Sequence, residues 1–261
     1  VKRALRRAIA SLAPAVSERG VRVLLYHAID GPDTVDRMGL RVSREAFREQ
    51  MQLLSTAGYR VVPLARMLDA PSGRESREAI SRDVAITFDD GYRSEMLAAE
   101  TLKEFGFTAT FFVVPRFLDG VHHPAHYWEH WPHMTWDDAR TLVEAGFEIG
   151  AHSMTHPDLT QCDPNRLTGE VAGVKALLEQ RLGREIVSFS YPYGRHDSRV
   201  RESAGRAGYR LACTSRYGIN RTSGSCYNVA RTEVTGMDRL VDFRRKLQGK
   251  YDWLARWQDF S

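Results

Sequence analysis

Ala85-Ile86-Thr87-Phe88-Asp89-Asp90-Gly91-Tyr92 is the stretch from which the rest of the chain can be read. An apolar, β-favouring run ends in two adjacent carboxylates and a Gly, which describes a buried strand that stops abruptly where Gly permits a turn. Two carboxylates side by side at a strand end repel each other and are poorly solvated, so a cation or a proton has to relieve them. Taken alone, the octapeptide also fits a solvated Asp-Gly turn. Further on, Glu148-Ile149-Gly150-Ala151-His152-Ser153-Met154-Thr155-His156 again runs a short strand into polar residues, now with His at i and i+4. Neutral imidazole is the commonest side-chain metal ligand, and two His with one carboxylate leave coordination positions open for water and substrate. A lone His is more often a structural hydrogen-bonder. A His pair at one strand end facing a carboxylate pair at another points to a metal site.

Outward from these motifs the chain alternates strand and helix. Strands are expected near Val21, Tyr59, Val84, Thr108, Phe147, Ile186, Tyr209 and Asn228, and helices over residues 43–58, 94–105, 135–145, 164–182, 198–207 and 237–257. Ser43 and Thr135 read as N-caps, and Gly58, Gly106 and Gly146 as stops. This pattern predicts an α/β protein, a distorted seven- or eight-stranded parallel (β/α) barrel, with an open Rossmann-like sheet as the alternative. The candidate residues fall at or just past the C-terminal ends of strands, where barrels carry their sites.

Composition sets the outer bounds. The 261 residues, 43% hydrophobic and 27% charged, suit one barrel-sized globular domain, expected over residues 21–261. A net charge of +4 without an aromatic-interleaved basic stretch argues against nucleic-acid binding. Cys162, Cys213 and Cys226 have no C-x-x-C spacing, which argues for a reducing compartment and against a cysteine metal site. No stretch approaches the roughly 18 apolar residues of a membrane span. Residues 1–20 read as a basic amphipathic helix, with Lys2, Arg3, Arg6 and Arg7 on one face and Leu5, Ala8, Ile9 and Leu12 on the other. It is expected to pack on the barrel, the alternative being contact with a membrane surface. A cytoplasmic location, or a peripheral one at the inner membrane, is the corresponding expectation; oligomeric state is not legible.

With the two motifs in place, the chain resembles the polysaccharide deacetylase family (carbohydrate esterase family 4, the NodB-homology family) over residues 21–234. The resemblance implies that Asp89 is the general base and that Asp90, His152 and His156 bind one divalent metal ion, a division of labour the two Asp do not reveal by themselves. Zinc suits two His and a carboxylate, and other divalent first-row ions fit the same ligands. Phe189-Ser190-Tyr191-Pro192-Tyr193-Gly194 is similar to the family's R-x-P-Y-G motif, which implies that the Tyr193 backbone N–H helps stabilise the oxyanion. Ser190 stands where that motif has Arg. Arg231, in the last expected strand, is the candidate to supply the missing Arg beside Asp89; a surface ion pair is its alternative. Leu24-Leu25-Tyr26-His27-Ala28-Ile29 resembles the L-x-Y-H-x-I segment of deacetylases whose motifs are permuted, and no His follows His196. His27 is therefore the candidate general acid, the alternative being a ring that braces a loop.

The activity so implied is removal of acetyl groups from N-acetylated amino sugars in a polysaccharide, oligosaccharide or glycoconjugate, with release of acetate. Two other classes compete with it. Another metal-dependent barrel hydrolase, such as a phosphoesterase, would use similar ligands, and a catalytically silent carbohydrate-binding relative would fit the departures at Ser190 and in the C-terminal His motif. Residues 120–134 carry His122, His123, His126, His130 and His133 beside Tyr127, Trp128 and Trp131. They read as a long βα loop whose aromatics stack on sugar or shelter the site, with a second metal site as the weaker reading.

Overall fold

Strand positions follow the alternation in the sequence, and their order in space follows the chain except at the second strand. The computed structural model describes residues 2–15, 20–30, 36, 38–68, 82–121, 131–221 and 226–255. The strands are β1 (Arg22–Tyr26), β2 (Arg60–Val61), β3 (Asp83–Phe88), β4 (Thr110–Val113), β5 (Glu148–Ala151), β6 (Ser188–Ser190), β7 (Leu211–Cys213) and β8 (Arg231–Glu233). All pair in parallel, in the order β7-β6-β5-β4-β3-β1-β8. Just before β8, Val229 donates its N–H to Ala212 O and accepts from Thr214 N–H, both at 2.9 Å, which stitches this end of the sheet to β7. The result is a nearly closed, distorted seven-stranded barrel.

The eighth expected strand, β2, is not a stave of that barrel. It pairs only at Arg60–Asp83 and Val61–Val84, on the early half of β3, whereas the late half of β3 pairs with β4 at Thr87–Thr110. Pro63 stops the run, because proline has no N–H to donate to a ladder. With β2 reduced to a stub, β1 lies directly on β3 over five residue pairs, Arg22–Val84 to Tyr26–Phe88. Strands β1, β3 and β4 are buried along their whole length, as parallel strands covered on both faces must be.

The helices are α1 (Lys2–Leu12), α2 (Arg44–Thr56), α3 (Glu95–Phe105), α4 (Pro115–Leu118), α5 (Trp136–Glu144), α6 (Pro164–Thr168), α7 (Val174–Leu182), α8 (Ser198–Arg206) and α9 (Leu240–Leu247). Ser43 accepts from Ala46 N–H at 3.1 Å, and Thr135 forms a reciprocal capping box with Asp138. The helix expected over residues 1–20 ends at Leu12, and two others are broken. The run over 164–182 is split by a π-helical turn, Gly169–Gly173, which carries Glu170 inward. The run over 237–257 ends at Leu247, since Gly249 turns left-handed with φ 73°, and a 3-10 turn, Asp252–Leu254, follows. Below the barrel, Arg22 donates to both Asp252 oxygens at 2.9 and 3.0 Å and to Leu247 O at 3.1 Å, tying this C-terminal segment to the foot of β1. Among the described residues no helix is long and apolar enough to cross a membrane.

Candidate active site

Two strand ends bring the metal-ligating candidates together. Asp90 follows β3, His152 follows β5 directly, and His156 lies one short loop further on. Among the described residues these three form the one group whose ligand atoms converge, all within 4.8 Å of one another. His156 Nε2 is 3.3 Å and His152 Nε2 is 3.5 Å from Asp90 Oδ1. Ligands bound at 2.0–2.2 Å around a tetrahedral ion stand about 3.3–3.6 Å apart, so these separations fit a shared cation. Asp90 Oδ1 is buried and accepts no hydrogen bond, the condition of an oxygen reserved for a metal. The Nδ1 of His152 lies 2.8 Å from Ser190 O and must donate to it, which turns the Nε2 lone pair towards the site.

Backbone strain gathers at the same place. Of five non-Gly residues with left-handed φ among the described residues, four are Asp90, Ser153, His156 and Tyr193, at φ 80°, 62°, 60° and 59°. Each such conformation costs roughly 1–3 kcal/mol and persists only when its surroundings hold it. Two buried carboxylates do the holding. Glu95 Oε1 accepts from Tyr92 N–H at 2.9 Å, closing the turn that carries Asp90. Glu170, from the π turn, accepts from the N–H groups of Met154 and Thr155 at 2.9 Å and from the Thr155 hydroxyl at 2.5 Å, bracing the loop between the two His. Sequence reading missed both, because neither belongs to a motif. Glu170→Ala is expected to weaken metal binding about 10- to 100-fold, the usual cost of losing an outer-shell partner, as read by competition with a chelating dye.

Asp89 sits beside the triad, its Oδ2 3.7 Å from His152 Nε2. Arg231 reaches across from β8 and clasps it, Nη1 to Oδ1 at 2.7 Å and Nη2 to Oδ2 at 2.6 Å. Its remaining donors go to Thr214 O at 2.8 Å, Ser190 Oγ at 2.8 Å and Thr87 Oγ1 at 3.3 Å, which accounts for the five N–H groups of a guanidinium. Ser190 in turn donates to Asp89 Oδ2 at 3.0 Å. Arg231 is only 1% exposed, so the surface ion pair is ruled out. Its fork faces the carboxylate of Asp89, and the small side chain at 190 leaves the volume it fills. Burial pushes the Asp89 carboxyl up, but Arg231 and then His152 outweigh burial and hold it below the usual carboxylate range.

His27 follows β1, half-buried, with a buried Nδ1 that has no hydrogen-bond partner. Tyr193 is 41% exposed; its ring meets that of His156 edge-on at 4.8 Å, and its left-handed backbone precedes Gly194, where a Cβ would lie 2.1 Å from Ser215 Oγ. Of the His-rich loop, His122, His123, His126, His130, Tyr127 and Trp128 lie outside the described residues. Trp131 is 4% exposed and packs edge-on against Tyr92, while His133 stacks on Tyr92 at 4.9 Å. Trp131 is thus a wall behind the Asp90 turn and not an open platform for sugar.

A model of the polysaccharide deacetylase family matches residues 76–212, just over half of the chain. The chain belongs to this family. The putative polysaccharide deacetylase YxkH of Bacillus subtilis (strain 168) is 26% identical over 215 residues, 82% of this chain and 71% of its own length. Among solved structures, IcaB from Ammonifex degensii is 25% identical with a TM-score of 0.68, covering 88% of this chain and 98% of that one. The Streptococcus pyogenes deacetylase PplD, solved with acetate, shares the fold with a TM-score of 0.72 at 22% identity, covering 87% of this chain and 98% of that one. In this polysaccharide deacetylase the matched span contains Asp89, Asp90, His152, His156 and Tyr193, while His27 and Arg231 lie outside it. The triad at the mouth of the barrel is the metal-coordinating set of a metal-dependent hydrolase acting on N-acetylated sugars.

Proposed function

We propose that the protein is an N-deacetylase that hydrolyses the acetamide of N-acetylated amino sugars in a saccharide or glycoconjugate, giving acetate and the free amine, with zinc held by Asp90, His152 and His156. The observation that carries this reading is the Asp89 carboxylate, clamped by Arg231 and 3.7 Å from a ligand of the triad, where an attacking water would have to surrender its proton. An ion held by Asp90, His152 and His156 would supply Lewis acidity and make a nearby water more acidic. Asp89 accepts the proton of the attacking water; the Arg231 fork keeps it ionised and in place. Tyr193, held in its left-handed turn, presents a backbone N–H to the oxyanion. His27, at the end of β1 beside the strand that carries Asp89 and with an uncommitted Nδ1, passes a proton to the departing amine.

Arg231 beside Ser190 also weakens the case for a silent relative, since the departure at 190 is matched by a guanidinium from elsewhere. The test is acetate release from N-acetylglucosamine oligosaccharides and glycolipids, by protein stripped with chelator and then given zinc. Stripped protein is expected to be inert and zinc to restore release. A protein that binds one zinc tightly yet releases no acetate from any of them would count against the reading.

A further inference from the structure

Ser190 touches both the base and a metal ligand, and does so with different atoms. Its carbonyl oxygen receives the His152 Nδ1–H at 2.8 Å, and its hydroxyl donates to Asp89 Oδ2 at 3.0 Å. Across the space between them His152 Nε2 and Asp89 Oδ2 stand 3.7 Å apart. Base, ligand and Ser190 thus form a closed loop drawn from the ends of β3, β5 and β6. Ser190 is fixed within it. The residue is fully buried and pairs with Cys213 in the β6–β7 ladder, and the Tyr191 N–H that follows it donates to Cys213 O at 3.0 Å.

The direction of the hydroxyl is forced. Ser190 Oγ lies 2.8 Å from Arg231 Nη2, and a guanidinium nitrogen can only donate, so the serine oxygen accepts there and sends its own hydrogen to Asp89. That bond changes what the carboxylate has left to offer. A carboxylate has about four lone-pair positions. Arg231 fills one on each oxygen, at 2.7 Å to Oδ1 and 2.6 Å to Oδ2, and Ser190 fills a second on Oδ2. Among the described residues no further hydrogen bond reaches Asp89 from a side chain, so a single position stays open to a proton. A residue that merely left room for Arg231 would do none of this, and Ala would serve as well.

We propose that the Ser190 hydroxyl is a positioning group for the reaction: it leaves Asp89 one acceptor position and holds that position in register with His152, the ligand that Ser190 tethers by its carbonyl. The role rests on the deacetylase reading, in which Asp89 is the base. Without the hydroxyl the Arg231 fork still keeps the carboxylate ionised, but two positions compete for the proton and the carboxylate can tilt about the fork. Small misplacements of a reacting group are costly in rate.

Acetate release from an N-acetylglucosamine oligosaccharide by zinc-loaded protein, assayed well below the melting temperature of each variant, tests it. Ser190→Ala removes the hydroxyl and spares the carbonyl. Zinc content and KM are expected to match the parent while kcat falls roughly 10- to 100-fold, the usual cost of an outer-shell partner. In an Asp89→Asn background the same substitution is expected to change kcat by less than about twofold, because a group that acts through the carboxylate then has nothing to position. Ser188→Ala, at the start of β6, removes a buried hydroxyl that has no hydrogen-bond partner among the described residues, and is expected to leave kcat as it is. The proposal is overturned by parent kcat in Ser190→Ala, by a matching loss in Ser188→Ala, by an equal fold loss with and without the Asp89 carboxylate, or by a loss that follows zinc content. Parent protein that releases no acetate would instead overturn the deacetylase reading, and this role with it, before any variant is compared.

Discussion

Asp89→Asn is expected to cut acetate release by roughly a hundredfold to ten-thousandfold, the range for a lost general base, while the protein still binds one metal ion. Asn has the shape of Asp but accepts no proton at neutral pH. The ligand atoms of Asp90, His152 and His156 come from other side chains, so zinc stoichiometry by atomic absorption should match the parent. Some stability will go too, because Asn leaves the buried Arg231 charge with a weaker partner. Turnover near the parent level in a metal-replete Asn variant would assign the base elsewhere.

Arg231→Met is expected to have the largest effect on stability. It removes the cation from a carboxylate that is itself only 3% exposed, and breaking a buried pair on one side costs roughly 3–5 kcal/mol. For a chain of this size that lowers the melting temperature by about 10 °C, measurable by calorimetry. The sign of its pH dependence follows from Asp89. In the parent its folded pKa is lowered, so the pair stabilises above the unfolded carboxylate range and that contribution fades as pH falls through the lowered value. In the Met variant burial dominates and the carboxyl moves up, so acid protonates it and relieves the buried charge. The gap in melting temperature should therefore be widest near neutral pH and narrow towards acid. A gap that stays constant would mean that Arg231 acts by packing alone. Arg231→Lys keeps a charge but not the two-pronged geometry, and is expected to recover only part of the loss.

How much of this was legible beforehand depends on how far apart in the chain the parts lie. The two motifs could be read because the residues within each lie close in the chain, Asp90 next to Asp89 and His156 four residues after His152, while the split of roles between the two Asp came from the family resemblance. Caps at Ser43 and Thr135 and the left-handed stop at Gly106 were legible for the same reason, since each acts on residues within a turn of itself. The helix break at Gly169–Gly173 was not. Its cause is Glu170 reaching the Met154–Thr155 backbone, a contact that no local pattern encodes. The demotion of β2 likewise depends on which strand lies beside β3, and Tyr59–Val62 reads as β-favouring whether or not it finds a place in the wall.

By itself the sequence determined the alternation of strand and helix, the strand ends that carry chemistry and the family's metal motif, because periodicity and chain adjacency carry that information. Only the tertiary structure decided that seven strands close the wall, that Arg231 fills the space left at Ser190, 41 residues away, and clasps Asp89, 142 residues away, and that α1 turns its apolar stripe outward. Those outcomes depend on which distant groups share one buried volume, and on whether a buried charge finds a partner there, which barrel closure settles and chain order does not.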